Sequence, residues 1–419
     1  MKKSAALFIA LALVTVVRVQ AYGPQGHATV GAIADRLLAN TPTGAKVSAL
    51  LDGYTLEEVA TIPDSIKAWD RNGVDNPTAQ HYFSSHPKIA EQLRAFWKAN
   101  PPTNDEKSPI PNHHWFHYTD VPLAPPFEKY GDGKVGRSQW DIVHMMRYCI
   151  GVLKGTIPAN NPRAITKPIA IILLAHYVGD IHQPLHVGAE YFDAQGNPAN
   201  PDQSNGIFGD EGGNALHLKL DGLAPPGASK RPNLHGFWDS DTVLANLPSL
   251  DAKTPKEERR RQEDAGEAQL ATRLAQEEPK NWRLPPGVKV EDYPESWANE
   301  ILPIARAAHD RLRFDHVQPK LQHDEMLAMG NAVERPMPDG LSYRKWSAGV
   351  VLNELHLAGW RLADLLKQVL NGSAAPSVAA PITAAQVPIL AAPEKKAAPL
   401  VIHDADFPPA VIPGSPAPR

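Results

Sequence analysis

One segment constrains this chain more than any other. Residues 167–183, KPIAIILLAHYVGDIHQ, are apolar on nearly every face and yet carry a histidine and an aspartate. Helical periodicity without a polar face places such a helix at the centre of a fold. Pro168 suits a first helical position and Pro184 stops the run. His176 and Asp180 are four apart and share one face. Burying them is costly unless they are hydrogen-bonded or bound to metal. His182 follows, and His186 stands beyond the turn at Pro184. The string H-x3-D-x-H-x3-H thus places four candidate ligands around one helix end. A single buried histidine reads as a satisfied core group; this density reads as a metal site.

The rest of the chain is punctuated as a mainly helical, all-α protein. Helical spacing recurs over residues 27–39, 43–51, 56–69, 138–154, 292–314 and 342–370. Residues 100–136 read as a long loop with a short strand at 115–119. Residues 187–233 read as a second loop with one alternating stretch, 215–220, suited to an edge strand. The charged run 254–279 predicts a solvated helix with Thr254 as N-cap, Pro255 at its first position and Glu257 completing a capping box. These elements form one helical domain over 22–371 with few short strands and no internal repeat. Residues 372–419 hold ten prolines and many alanines and predict a disordered tail.

The first 21 residues predict a cleaved export signal. Lys2 and Lys3 precede an apolar run shorter than the roughly 20 residues of a spanning helix, and Val19-Gln20-Ala21 resembles a cleavage site. The expected location is secreted or periplasmic, with no stable membrane anchor. Removing Lys2, Lys3 and Arg18 takes the formal charge from −4 to −7. An acidic protein is a poor general binder of phosphate backbones, so any phosphate chemistry needs local positive charge, which a metal cluster supplies. The only cysteine, Cys149, excludes an intramolecular disulfide and sits in an apolar helical pattern as a small core residue.

Further candidate ligands lie elsewhere. His235 and Asp239 are four apart, and with His186 they make a His2Asp set of the kind zinc takes with positions left open. Cleavage after Ala21 frees the amine of Tyr22, five residues before His27; a free α-amine titrates near ~7.7–8 and can yield its proton to a metal. On residue chemistry alone Tyr22-Gly-Pro-Gln-Gly-His27 reads rather as a turn before a helix, with His27 near its N-cap. Asp64 reads alone as a cap or surface carboxylate. His113, His114 and His117 crowd one segment, and spacing does not decide which of them binds metal.

These motifs in series, Tyr22-Gly-x-x-Gly-His27, Pro63-Asp64, Phe116-His117-Tyr118, His176-x3-Asp180-x-His182-Gln-Pro-Leu-His186 and Asn233-Leu-His235-x-x-Trp238-Asp239, resemble the zinc-dependent single-strand-specific nucleases that also act as 3′-nucleotidases. That family shares its fold with bacterial zinc phospholipases C. Gly212-Gly213-Asn214 and Leu357-Ala-Gly-Trp-Arg-Leu-Ala363 also fit. The resemblance covers about 22–371 and implies three zinc ions. Asp64, His117, His176 and Asp180 would hold one; His186, His235 and Asp239 a second; His27, Asp180 and the backbone amine and carbonyl of Tyr22 a third. The family begins with Trp where this chain has Tyr22. The 187–234 and 250–290 stretches look longer than in compact relatives, and the disulfides of eukaryotic members are excluded.

Metal-assisted phosphoester hydrolysis is then the expected chemistry, zinc lowering the pKa of water towards ~7 and Asp64 orienting that water or taking its proton. Lys67, three residues on, takes the place of a basic residue that stabilises phosphate charge, or is a surface lysine. Tyr118 stands where relatives stack a ring on an unpaired base, and Asn214 is a candidate for a base or phosphate bond. Single-stranded DNA or RNA and nucleotides are the expected substrates of a monomer without a protein partner. A zinc phospholipase C of the same fold shares the ligand pattern and is the main alternative; a zinc protein without catalysis is the other.

Overall fold

The computed structural model describes residues 22–75, 85–101, 112–220, 233–248, 253–322 and 325–371. The expected export signal and the expected disordered tail lie outside the described residues. The helices are α1 (Pro24–Leu38), α2 (Pro42–Leu50), α3 (Leu56–Val59), α4 (Ile62–Ser65), α5 (Trp69–Asn72), α6 (Pro87–Ala99), α7 (Ile142–Lys154), α8 (Lys167–Ile181), α9 (Leu234–Gly236), α10 (Thr242–Leu244), α11 (Lys256–Gln276), α12 (Tyr293–Asp310) and α13 (Tyr343–Asn371).

α8 is the central element, and every residue from Ile169 to Ile181 is buried. The Thr166 hydroxyl caps it by accepting from the Ile169 amide at 3.4 Å. It ends at Ile181, with His182 as its last capping residue, and Pro184–His186 closes as a short 3-10 turn. α1, α3, α7 and α13 pack around it. α1 and α13 approach closely at Gly359, where a β-carbon would stand 2.5 Å from Ile33. The same core cluster takes in Cys149, which is buried and free.

Three small sheets join the loops to this core. β1 (Val121–Pro122) pairs in parallel with β2 (Gly188–Ala189), so the chain just after His117 runs beside the chain just after His186. β3 (Tyr191–Phe192) pairs with β4 (Phe208–Gly209). β5 (Leu216–Lys219) lies at the edge of a three-stranded sheet, as the alternation of 215–220 predicts, beside β7 (Glu325–Glu334), which pairs in turn with β6 (Leu312–Gln322).

Three expectations are corrected. The strand at 115–119 is instead a 3-10 helix, His113–His117. Phe116 and His117 both turn inward, which strand alternation forbids, and the Asn112 side chain caps the turn by accepting from the His114 amide at 2.6 Å. Thr254 does not cap the charged helix: Pro255 is its cap residue and Lys256 its first position. The Thr254 carbonyl is taken by the Arg259 guanidinium at 3.1 Å. Nor is that helix merely solvated. Gly266, Leu270, Ala271, Leu274 and Ala275 are buried, and the last four form a second small core with Ala32 and Ile33 of α1.

That contact gathers acids. Asp35 accepts from the Leu56 and Glu57 amides at 3.0 and 2.9 Å. Half-buried Glu267 is pushed up to about 8 by burial and by Asp264, Glu57 and Glu263. Its folded pKa exceeds the unfolded value, so the native state loses stability as pH rises from about 4.5 towards 8. Glu267→Gln is therefore expected to stabilise the protein at pH 8 by about 1–2 kcal/mol, less than the full 1.4 kcal/mol per unit because solvent reaches part of the group and screens it. Thermal unfolding of both proteins at pH 5 and pH 8 checks this; an advantage that does not grow with pH refutes it.

Candidate metal centre

α8 delivers His176 and Asp180 one turn apart, both fully buried. The two oxygens of Asp180 face different partners. Oδ2 lies 3.0 Å from His117 Nδ1 and 3.2 Å from His176 Nε2, whereas Oδ1 lies 3.2 Å from His27 Nε2. Asp64 approaches the first pair, its Oδ1 3.7 Å from His176 Nε2 and 3.9 Å from His117 Nδ1. Lys67 Nζ donates to the same oxygen at 2.6 Å. His27 arrives from α1, its ring stacked on His176 with centroids 3.7 Å apart. Gly179 permits this, because a β-carbon there would meet His27 Nδ1 at 2.8 Å.

A second group forms where the chain leaves α8. His186 Nε2 and His235 Nε2 are 3.0 Å apart. Asp239 Oδ2 lies 3.5 Å from His235 and its Oδ1 3.9 Å from His186. Gln183 holds that Oδ1 with its amide at 2.8 Å.

The ring orientations come from the backbone. His176 Nδ1 donates to the Ala60 carbonyl at 2.6 Å, His186 Nδ1 to the His117 carbonyl at 2.8 Å, and His235 Nδ1 to the Gly212 carbonyl at 2.8 Å. A carbonyl accepts only, so these bonds place the proton on Nδ1 and leave Nε2 facing inward. Gly212 and Gly213 have φ of +56° and +88°. A β-carbon at Gly212 would also fall 2.3 Å from the Leu185 carbonyl oxygen, so this turn requires glycine.

Burial pushes His186 below the usual imidazole range, and burial with the neighbouring His186 does the same more strongly to His235. Both rings are then neutral, and two bare nitrogen lone pairs face each other at 3.0 Å. A cation between them resolves that repulsion. Nearby, His27 Nδ1 and Nε2, His117 Nε2, Asp180 Oδ1 and Asp239 Oδ2 are buried without a hydrogen-bond partner among the described residues. Orphaned buried polar atoms are rare where nothing else binds them. The residues fit a metal centre, and their mix of imidazole and carboxylate suits zinc. Burial raises the Asp64 carboxyl, but Lys67 and the surrounding imidazoles outweigh it and hold Asp64 well below the usual carboxylate range. Asp180 is held low for the same reason, against burial, by His176 and His186.

Other sequence candidates fall as follows. Tyr22 is fully buried, its hydroxyl donating to the His182 carbonyl at 2.9 Å, and the Gly23 amide donates to the Asp239 carbonyl at 2.7 Å. The Tyr22–Gly23 segment is thereby held against the second group. His182 joins neither group. Its Nδ1 donates to Val178 O at 2.7 Å and its Nε2 accepts from buried Arg361 at 2.9 Å. Tyr118 is 37% exposed. Asn214 spends its amide on the protein, donating to Glu211 O at 2.9 Å and accepting from Asn233 at 3.2 Å. His113 and His114 gather instead with Asp70, a residue that sequence reading did not single out.

A mainly helical fold with a buried, multi-part histidine–aspartate centre across α1, α4, α8 and α9 defines a metal-binding protein class. Within that class the chain matches the S1/P1 Nuclease family over residues 22–371. It belongs to that family. It is also similar to Endonuclease 4 of Arabidopsis thaliana, 34% identical over 78 residues, which are 19% of this chain and 18% of that protein. Endonuclease 2 of the same plant is 24% identical over 139 residues, 31% of this chain and 39% of the relative. These aligned stretches cover well under two thirds of the relatives' lengths. No described helix is long and apolar enough to cross a membrane.

Proposed function

We propose that this protein is an exported zinc-dependent phosphodiesterase that hydrolyses single-stranded nucleic acids and 3′-nucleotides. The observation that carries the reading is Asp180, whose two oxygens face two histidine sets. The three zinc ions would be held by Asp64, His117, His176 and Asp180, by His186, His235 and Asp239, and by His27, Asp180 and the amine and carbonyl of Tyr22. When bound, zinc supplies Lewis-acid polarisation of phosphoryl oxygen and acidifies water.

The chain's own groups do the rest. Asp64, kept ionised beside Lys67, orients a water and accepts its proton. Lys67 brings positive charge to a phosphate entering beside Asp64, as preorganised donors do for developing negative charge. The Tyr118 ring, partly open to solvent, offers a face for an unpaired base, an interaction of about 1–3 kcal/mol. A duplex keeps its bases stacked and cannot use it. This explains single-strand preference in a protein of formal charge −4.

Assays on 3′-AMP, single-stranded and duplex RNA and DNA, and phosphatidylcholine test the reading. Turnover of the nucleotide and single strands is expected, with duplexes slower by at least about tenfold, the factor that 1.4 kcal/mol of lost stacking represents. Hydrolysis of phosphatidylcholine alone would replace it with the phospholipase reading.

A further inference from the structure

We infer that Asp70, His113 and His114 form an additional zinc site, separate from the centre around Asp180. The two histidines stand on the 3-10 helix His113–His117 and Asp70 on α5. Their three candidate ligand atoms all lie within 4.8 Å of one another. His113 Nε2 is 3.5 Å from Asp70 Oδ1, and His114 Nε2 contacts Asp70 Oδ2. The two rings meet edge to face with centroids 4.7 Å apart, so their nitrogens converge on one carboxylate from different directions.

The second observation is His113 itself. It is 1% exposed, and among the described residues its Nε2 has no hydrogen-bond partner although it is aimed at the group. A buried imidazole nitrogen left in that state calls for a ligand. The Trp97 indole donates to Asp70 Oδ1 at 2.7 Å and fixes the carboxylate plane, as outer hydrogen bonds do around metal ligands. His114 is 29% exposed, so solvent and metal can reach the group from its side.

The donor chemistry agrees with the geometry. Two neutral imidazoles and one carboxylate are the donor set of open zinc sites.

The placement gives the site a role. Asp70 follows Asp64 and Lys67 on the same short run of helical turns, and His114 precedes His117 on the same 3-10 helix. A zinc ion at Asp70, His113 and His114 ties these two segments together and so fixes the spacing of Asp64 and His117.

Equilibrium dialysis of the mature protein against buffered zinc chloride, read by mass spectrometry of metal, tests this. Asp70→Asn and the double variant His113→Ala/His114→Ala are each expected to bind one zinc equivalent fewer than the parent with unchanged circular dichroism. Equal zinc in folded variants overturns the site. Should the variants not fold, crystals of the unsubstituted protein grown with zinc decide it by anomalous scattering. A peak within about 2.0–2.2 Å of the three ligand atoms supports the site. No peak there, with peaks at Asp180, overturns this inference and leaves the main centre standing. A peak here alone removes the main centre instead, and peaks at neither overturn both.

Discussion

Asp180→Asn is expected to lower turnover of 3′-AMP by at least about 10³-fold, in the range of removing a central electrostatic group, and to leave the protein short of zinc after dialysis. The amide is nearly isosteric, so packing inside α8 is preserved. What it loses is charge: Asp180 stands within 3.2 Å of His27, His117 and His176 alike. Neutralising it removes a ligand from two proposed ions at once. His182→Gln is the comparison. That histidine belongs to the same sequence string, but it hydrogen-bonds Val178 and Arg361. Its loss should lower the melting temperature and leave metal content unchanged. Full metal and turnover in Asp180→Asn would refute the bridging role.

The second large effect concerns Asp64. Asp64→Asn is expected to cut kcat by about 10²–10³, with KM nearly unchanged and most of the zinc retained. Asparagine can still fill the space beside Lys67, but it cannot accept a proton at neutral pH. The distances of 3.7 and 3.9 Å to His176 and His117 place Asp64 at the margin of its group rather than at its centre. That is why the proton-handling role should be lost before the metal. Steady-state kinetics on 3′-AMP with metal analysis separates the two. Retained kcat would remove Asp64 from proton transfer, and lost zinc would make its role chiefly structural.

The central helix and its ligands were legible because they violate a rule. A helix apolar on all sides has no inexpensive place for His176 and Asp180, and the structure gives them partners that lie far away in sequence. His235 and Asp239 were legible through spacing, since a helical turn brings residues four apart together. His117 was not separable from His113 and His114 by spacing, because a 3-10 helix repeats near three residues and α-helical phase does not carry through it. The hairpin of β6 and β7 and the helix α6 escaped notice. Residues 312–334 mix charged and apolar positions without clean alternation, and a bulge between Asp315 and Gln318 shifts the register midway. Asp70 left no signal, since a lone aspartate beside Trp69 resembles any surface carboxylate until the fold brings His113 and His114 to it.

The rings of His176, His186 and His235 are aimed by main-chain oxygens of Ala60, His117 and Gly212. Every amino acid carries such an oxygen, so no replacement of a side chain can delete these acceptors. Residue identity at position 60 is thus free to drift wherever packing allows, while a shift of the loop path would misdirect a histidine that is itself untouched. Inherited damage to this centre should accordingly arise from insertions, deletions and lost glycines near the supporting turns as readily as from changes to the histidines.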